Sequence, residues 1–274
     1  MIRIAHLSDV HFGAHRPERL DGLMADIIEA APDAIAVSGD LTQNARVLEF
    51  EAAAAFLRAL PAPTVVVPGN HDIPRLDLRA RFMEPRARWR HHLGAETEPT
   101  LLLDGPANRS TPPGDAALQR SAPNGVALLG LDTVRRAQWH LDWSAGGISA
   151  GQRLRLAARL AMIGDRLPVL VAHHPLRNPP EMARTRMLPH GHRALRAMLR
   201  AAGVRVVLCG HLHQAAVLRD GSPAMVIAAS GISHRVPEAA NGWNLLHIDA
   251  GQITVERRGF RRGRWGAVGS DVLP

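Results

Sequence analysis

Five short polar clusters carry most of the residues in this chain that could do chemistry: Asp9-Val10-His11, Gly39-Asp40, Gly69-Asn70-His71-Asp72, His173-His174-Pro175 and Gly210-His211-Leu212-His213. Two carboxylates, one carboxamide and four imidazoles drawn from them are about what a pair of divalent cations roughly 3.5–4 Å apart requires when one carboxylate is shared. Oxygen and nitrogen donors without a thiolate favour Mn, Fe or Zn, and the imidazoles argue against Ca or Mg alone. In Asp9-x-His11, alternate residues at a strand end face the same way, so both can reach one ion. The same holds for His211 and His213, and either pair can serve two different ions only if the backbone turns between its members.

Any one cluster is weak evidence, because an Asp-x-His, a Gly-Asp or an isolated histidine is common. Their placement is what counts. Each follows a short apolar run rich in Val, Ile, Leu and Ala: Ile2 to Leu7, Ala34 to Val37, Thr64 to Val67, Val169 to Ala172 and Val204 to Cys209, with a further run at Val126 to Leu131. Segments of helical period lie between the runs, at Pro17 to Ala31, Arg46 to Leu60, Ser149 to Ile163 and Pro189 to Ala202. That alternation predicts βαβ units around a buried sheet. Binding sites in such sheets gather where loops leave the carboxyl ends of parallel strands, so the five clusters converge on one edge. Glycines at 39, 69 and 210 suit sharp strand exits. After Val217 the pattern changes to short strands separated by Gly, Asp and Pro, and antiparallel pairing is expected there. Asp104 to Asn124 reads as an exposed loop. Arg75 to His92 reads as a helical insertion near the site whose charges form a solvated face.

The chain has 274 residues, 46% of them hydrophobic, with a formal charge of +8. These values exclude a disordered chain and suit one large α/β domain spanning 1–274. All 33 basic residues are Arg, and there is no Lys or Tyr, which inflates the isoelectric point and makes it a poor argument for nucleic acid. The single Cys209 can form no internal bridge and points to a reducing compartment, hence a cytoplasmic location. No apolar run approaches the roughly 18 residues of a membrane-spanning helix. A signal peptide is not expected, because the first residues run directly into the Asp9 cluster.

The order Asp-x-His, Gly-Asp, Gly-Asn-His-Asp, His and Gly-His-x-His, from Asp9 to His213, resembles the calcineurin-like metallophosphoesterase superfamily. The resemblance implies a four-layer α/β/β/α sandwich of two mixed β-sheets flanked by helices, with a dinuclear metal centre. It implies that Asp9, His11, Asp40 and His213 hold the first ion, that Asp40, Asn70, His173 and His211 hold the second, and that Asp40 bridges them. His173 is preferred over His174 because related members show His-x-Pro with the first histidine as ligand; His174 then supports or packs. Such a pair of ions acidifies water and polarises phosphoryl oxygens. His71 is expected to protonate the leaving group or stabilise charge, with Asp72 orienting it.

Gly39-Asp40-Leu41-Thr42, His173-His174-Pro175 and Val204 to Cys209 look like the bacterial cyclic-nucleotide and glycerophosphodiester phosphodiesterases. The Gly-Asp-x-Val-Asp-Arg-Gly of protein Ser/Thr phosphatases is absent, and His71 stands where the lipid A pathway pyrophosphatases typically have Arg. A small phosphodiester substrate, a nucleotide among them, is therefore the first expectation. A DNA exonuclease of the same superfamily is the second, suggested by the stretch His6 to Gly13 and the Arg-rich segments. A metal-binding scaffold without catalysis ranks last, because His71 and every ligand are present. Residues 257–274, with Arg257, Arg258, Arg261, Arg262 and Arg264 interleaved with Phe260 and Trp265, are expected to be a solvated tail that could contact phosphates.

Overall fold

Strands and helices alternate from the first residues onward, as the apolar rhythm requires. The computed structural model describes residues 1–105, 125–138, 142–182 and 187–274. Most of the expected loop Asp104 to Asn124 (residues 106–124) lies outside the described residues. In chain order the elements are β1 (Ile2–Leu7), α1 (Leu20–Ala30), β2 (Ala34–Val37), α2 (Val47–Ala59), β3 (Thr64–Val66), α3 (Leu78–Met83), α4 (Ala87–Leu93), β4 (Thr100–Asp104) and β5 (Gly125–Leu131). They continue with α5 (Ala150–Leu160), β6 (Leu167–Ala172), α6 (His192–Ala201), β7 (Val206–Cys209), β8 (Ala216–Leu218), β9 (Ala224–Ile227), β10 (Gly242–Asp249), β11 (Gln252–Arg261) and β12 (Arg264–Leu273).

Among the described residues these strands form two six-stranded mixed sheets, ordered β12-β11-β10-β1-β2-β3 and β4-β5-β6-β7-β9-β8. Side-chain alternation sorts each strand between layers. Ile2 and Ile4 of β1, Val169 and Val171 of β6, and Val206 and Leu208 of β7 share the core between the sheets. Ala5 and Leu7 pack instead beneath α1 and α2. Leu170, Ala172, Val207 and Cys209 pack beneath α5 and α6 on the far side. The result is the expected α/β/β/α layering, and the central parallel strands read as continuous apolar runs because both their faces are covered. Ser149 caps α5 as expected: its hydroxyl accepts from Gln152 N at 3.1 Å, and the Gln152 side chain returns to Ser149 N at 3.0 Å.

Three expectations need correction. The strands after residue 216 are not all antiparallel, since β9 pairs parallel with β7 and only its other neighbour β8 is antiparallel to it. The insertion Arg75 to His92 is helical, as α3 and α4, but Arg81 and Trp89 in it are buried rather than solvated. Residues 257–273 are not a tail: they end β11 and form β12, paired antiparallel on the edge of the first sheet. The arginines themselves explain this. Arg258 makes a two-pronged ion pair with buried Asp26 of α1, Nε to Oδ2 at 3.0 Å and Nη2 to Oδ1 at 2.6 Å, and Asp26 also accepts from Trp243 Nε1 at 2.9 Å. Those carboxylate bonds hold the Arg258 guanidinium above its ordinary pKa. Arg257 pairs with Asp271 at 3.1 Å, and Arg19 lies 3.5 Å from the centre of the Phe260 ring. Among the described residues no helix is long and apolar enough to cross a membrane.

Candidate metal centre

The chain leaves β1, β2, β3, β6 and β7 at one edge of the sandwich, and the chemistry-bearing residues sit on those exits. Five of the nine non-glycine residues with positive φ among the described residues are expected ligands: Asp9 (52°), His11 (54°), Asp40 (52°), His211 (71°) and His213 (57°). Left-handed backbone is strained for residues with a Cβ, although Asp and His tolerate it better than most, and such strain concentrates at functional sites. Asp9 and His11 therefore converge through two left-handed kinks, not through simple strand alternation. The same kinks turn the chain between His211 and His213, so this pair is divided between two groups. Neighbouring exits lock together through backbone bonds, Asp9 N to Gly39 O, His11 N to Asp40 O and Gly210 N to His173 O, each at 3.0 Å. Gly69 and Gly210 permit the approach, because a Cβ at the first would overlap Asp40 Oδ1 and at the second would overlap Ser8 Oγ and Asp9 Oδ2.

One group joins Asp9, His11, Asp40 and His213, whose ligand atoms all lie within 4.8 Å of one another. His213 Nε2 is 3.0 Å from Asp9 Oδ1 and 3.1 Å from His11 Nε2, and His11 Nε2 is 3.8 Å from Asp40 Oδ2. In the second group Asn70 Oδ1 lies 3.0 Å from His173 Nε2 and 2.9 Å from His211 Nδ1. Asp40 Oδ2 is 3.4 Å from His173 Nε2, so one carboxylate oxygen faces both groups. Burial disfavours charge on Asp9 and Asp40, but the surrounding imidazoles outweigh it and hold both carboxyls below the ordinary range. His173 Nδ1 donates to Ser38 O at 2.8 Å, which leaves the Nε2 lone pair aimed at Asn70 and Asp40.

These residues fit cations better than they fit one another. Two imidazole nitrogens face each other in the first group, and His11 Nδ1 is buried without a hydrogen-bond partner among the described residues. A donor set of nitrogen and oxygen alone suits Mn, Fe or Zn.

His174 lies close enough to His173 and His211 to form a third potential ligand. Both its ring nitrogens are occupied, however: Nδ1 by the Thr133 hydroxyl at 2.7 Å and Nε2 by Ser144 O at 2.6 Å. Burial, with His173 beside it, pushes its pKa down to about 3. His174 is a neutral brace between the β6 exit and the loop at 132–148, in line with the supporting role expected for it.

His71 is brought to the centre, but Asp72 does not orient it. His71 Nδ1 donates to Gln43 O at 2.6 Å, and Nε2 accepts from Arg235 Nη1 at 2.9 Å. Burial lowers the His71 pKa despite Asp40 nearby. Asp72 is itself buried and accepts from Thr42 N (2.8 Å), Thr42 Oγ1 (3.0 Å), Gly69 N (2.8 Å) and Leu41 N (3.3 Å). It therefore ties the β2 exit to the β3 exit. Burial and the neighbouring Asp40 push its carboxyl up to about 6, against the pull of the Gly69 and Thr42 donors. A carboxylate directly after a histidine suggests a partnership in sequence, yet the backbone turn sends the two side chains to different elements.

Sequence reasoning missed Arg235. It stands in the loop between β9 and β10, with Nη1 also 3.4 Å from His11 Nε2. With Asp40, Asn70, His71, Arg75, Arg81, Trp143, His211 and His213 it lines a cavity of about 700 Å³. A lone Arg in an irregular stretch carries no local signal; only the tertiary fold places it.

A family model described as calcineurin-like phosphoesterase matches residues 2–215. A glycerophosphodiester phosphodiesterase from Enterobacter lignolyticus is 26% identical over 85% of this chain and 78% of its own length. A cAMP/cGMP dual specificity phosphodiesterase from Mycobacterium tuberculosis is 29% identical over 89% of this chain and 75% of its own. Among solved structures, a dimetal phosphatase from Danio rerio superposes with a TM-score of 0.63 at 13% identity, covering 97% of this chain and 98% of that one, a likeness of fold.

Proposed function

This chain belongs to the calcineurin-like phosphoesterase family, and we propose that it is a metal-dependent phosphodiesterase whose two cations are held by Asp9, His11, Asp40, Asn70, His173, His211 and His213. The observation that carries this reading is Asp40 Oδ2, which faces His11 Nε2 at 3.8 Å and His173 Nε2 at 3.4 Å and so joins the two ligand groups. Bound there, two cations supply Lewis acidity that activates water and neutralises charge on phosphoryl oxygens.

The chain's own residues complete the site. The Gln43 carbonyl fixes His71 with Nε2 toward the cavity, where that atom, in the protonated ring, donates to the leaving oxygen or to a phosphoryl oxygen. Arg235, already within hydrogen-bond reach of His71, turns its guanidinium onto the phosphoryl group and stabilises charge as the ester bond breaks. Asp72 and His174 keep the strand exits in register. The family's glycerophosphodiester and cyclic-nucleotide members favour a diester over a monoester. The C-terminal arginines no longer argue for a nucleic-acid tail, because Arg257 and Arg258 are paired within the sheet.

Manganese-loaded protein is expected to hydrolyse bis(p-nitrophenyl) phosphate faster than p-nitrophenyl phosphate. Faster cleavage of the monoester would overturn the diesterase reading and leave family membership standing.

A further inference from the structure

The cavity wall away from the ligand groups carries two arginines, Arg75 and Arg81, that no carboxylate pairs among the described residues. Arg81, on α3, is only 4% exposed. Its Nε and Nη1 donate to the backbone carbonyls of Arg136 at 2.6 Å and Pro74 at 2.9 Å, and its guanidinium lies 5.4 Å from the centre of the Trp143 ring. Trp143 is held in turn by the edge of Phe82. Arg75, exposed at the rim, makes no hydrogen bond or ion pair among the described residues. Neither arginine has a carboxylate within ion-pair distance among those residues, although Arg86, Arg88 and Arg90 of the same insertion pair with Asp132, Asp77 and Glu84. Asp142 lines the same cavity, but its Oδ1 accepts from Ser144 N and Ser144 Oγ.

Holding a guanidinium out of water with only carbonyl partners is costly, and a second cation beside it adds repulsion. Burial and Arg75 both work against the charge on Arg81. The expense is reasonable where an anion arrives to complete the arrangement. The scissile phosphate does not need these two arginines, since the ligand groups, His71 and Arg235 already surround its position. Building on the phosphodiesterase reading, we propose that Arg75 and Arg81 form a subsite for a second phosphate, so that the favoured substrate is a nucleotide-type diester carrying one phosphate beyond the scissile one. Arginine suits this task because its planar N–H groups donate two parallel hydrogen bonds to a phosphate.

The test compares thymidylyl-thymidine with its 5′-phosphorylated and 3′-phosphorylated forms, which differ only in the added phosphate, using manganese-loaded wild-type protein. At least one phosphorylated form is expected to show kcat/KM tenfold or more above the unphosphorylated dimer, with steeper loss on added salt. Arg75→Gln and Arg81→Gln are each expected to move that ratio toward one. Should the buried Arg81 variant fail to fold, the exposed Arg75 variant decides the matter alone. Equal rates on all three dimers by a protein that cleaves bis(p-nitrophenyl) phosphate would overturn the second-phosphate subsite and spare the diesterase reading. Cleavage of none of these diesters would overturn both. A wild-type preference that survives intact in Arg75→Gln would also overturn the assignment of this wall as its source.

Discussion

The floor of the cavity, made by the strand exits, and its wall, made by Arg75, Arg81, Trp143 and Arg235, obtain their geometry from different sources. The floor is backbone-determined. Asp9, His11, Asp40, His211 and His213 adopt left-handed φ, glycines at 69 and 210 let the exits touch, the Ser38 carbonyl orients His173, and buried bonds from Asp72 to Gly69 N and from Thr133 to His174 brace the exits. The wall is side-chain-determined: long arginines reach in from α3, from the segment before it and from the loop after β9. A floor of this kind can hold ions in one geometry, because any slip would break backbone pairing between strands. A wall of this kind can change its specificity without disturbing the sheets.

The largest expected effect falls on the floor. Asp40→Ala and Asn70→Ala remove an atom that faces one or both ligand groups, and turnover should drop by more than the roughly 10³-fold that follows loss of a single preorganised charge-stabilising donor. Manganese affinity, read by calorimetry, should fall with it. An Asp40→Ala protein that kept full manganese stoichiometry and measurable diesterase activity would dissolve the distinction between floor and wall.

Arg235→Gln is the corresponding cut through the wall, with an expected fall in kcat/KM of about 10²–10³-fold. Here the metal readout should run the other way. Arg235 Nη1 lies 3.4 Å from His11 Nε2, so removing its charge should leave manganese affinity unchanged or tighter. Activity and metal affinity falling together would place Arg235 in the floor.

That contrast also explains what the sequence made legible. Floor residues lie within a few positions of an apolar run, so the run announces the strand and the cluster announces its exit; all seven expected ligands meet. Direction within a cluster was harder to read. Asp72 follows His71 in sequence but bonds to Thr42 and Gly69, since a turn separates the two side chains. In the wall, Arg75 and Arg81 fall in the insertion expected near the site, but Arg235 gave no such signal: it is 164 positions from the His71 it touches. Among the elements, β12 escaped because two glycines, Gly266 and Gly269, break its alternation, and it is held by pairing with β11 and by Arg257 to Asp271. Strand β4 escaped as a half-exposed edge strand just before the expected loop, where only Leu101 and Leu103 reach the core.

Asp72→Asn probes the floor's supports at smaller amplitude. The amide would present a donor where four donors already point, loosening the β2 and β3 exits. A loss of about 10–100-fold is expected, the scale for groups that orient metal ligands, and excess manganese should restore part of it. Because Asp72 does not touch the His71 ring, the variant's sensitivity to leaving-group pKa should match wild type. A steeper dependence on the leaving group would return Asp72 to the role of orienting His71.

The smallest effect lies beneath the floor. His6 is fully buried on β1, with Nε2 3.0 Å from Ser38 Oγ and Nδ1 3.3 Å from Asn244 Nδ2, and Ser38 in turn accepts from His173. Burial pushes the His6 pKa down to about 3 from 6.5, with Asp9 opposing. Between those values the unfolded chain binds a proton that the folded chain refuses, so His6 contributes stability that is present above pH 6.5 and is lost as the pH falls toward 3. Over the step from pH 7 to pH 5 that contribution is at most about 2 kcal/mol. His6→Gln cannot take up the proton, so urea unfolding of the metal-free variant should show a correspondingly smaller drop in stability across this step than wild type. Arg75→Gln, a change in the wall, should leave the drop as it is. Equal drops in wild type and His6→Gln would show that His6 does not support the floor as a neutral group, and the backbone would then have to hold Ser38 and His173 in place without it.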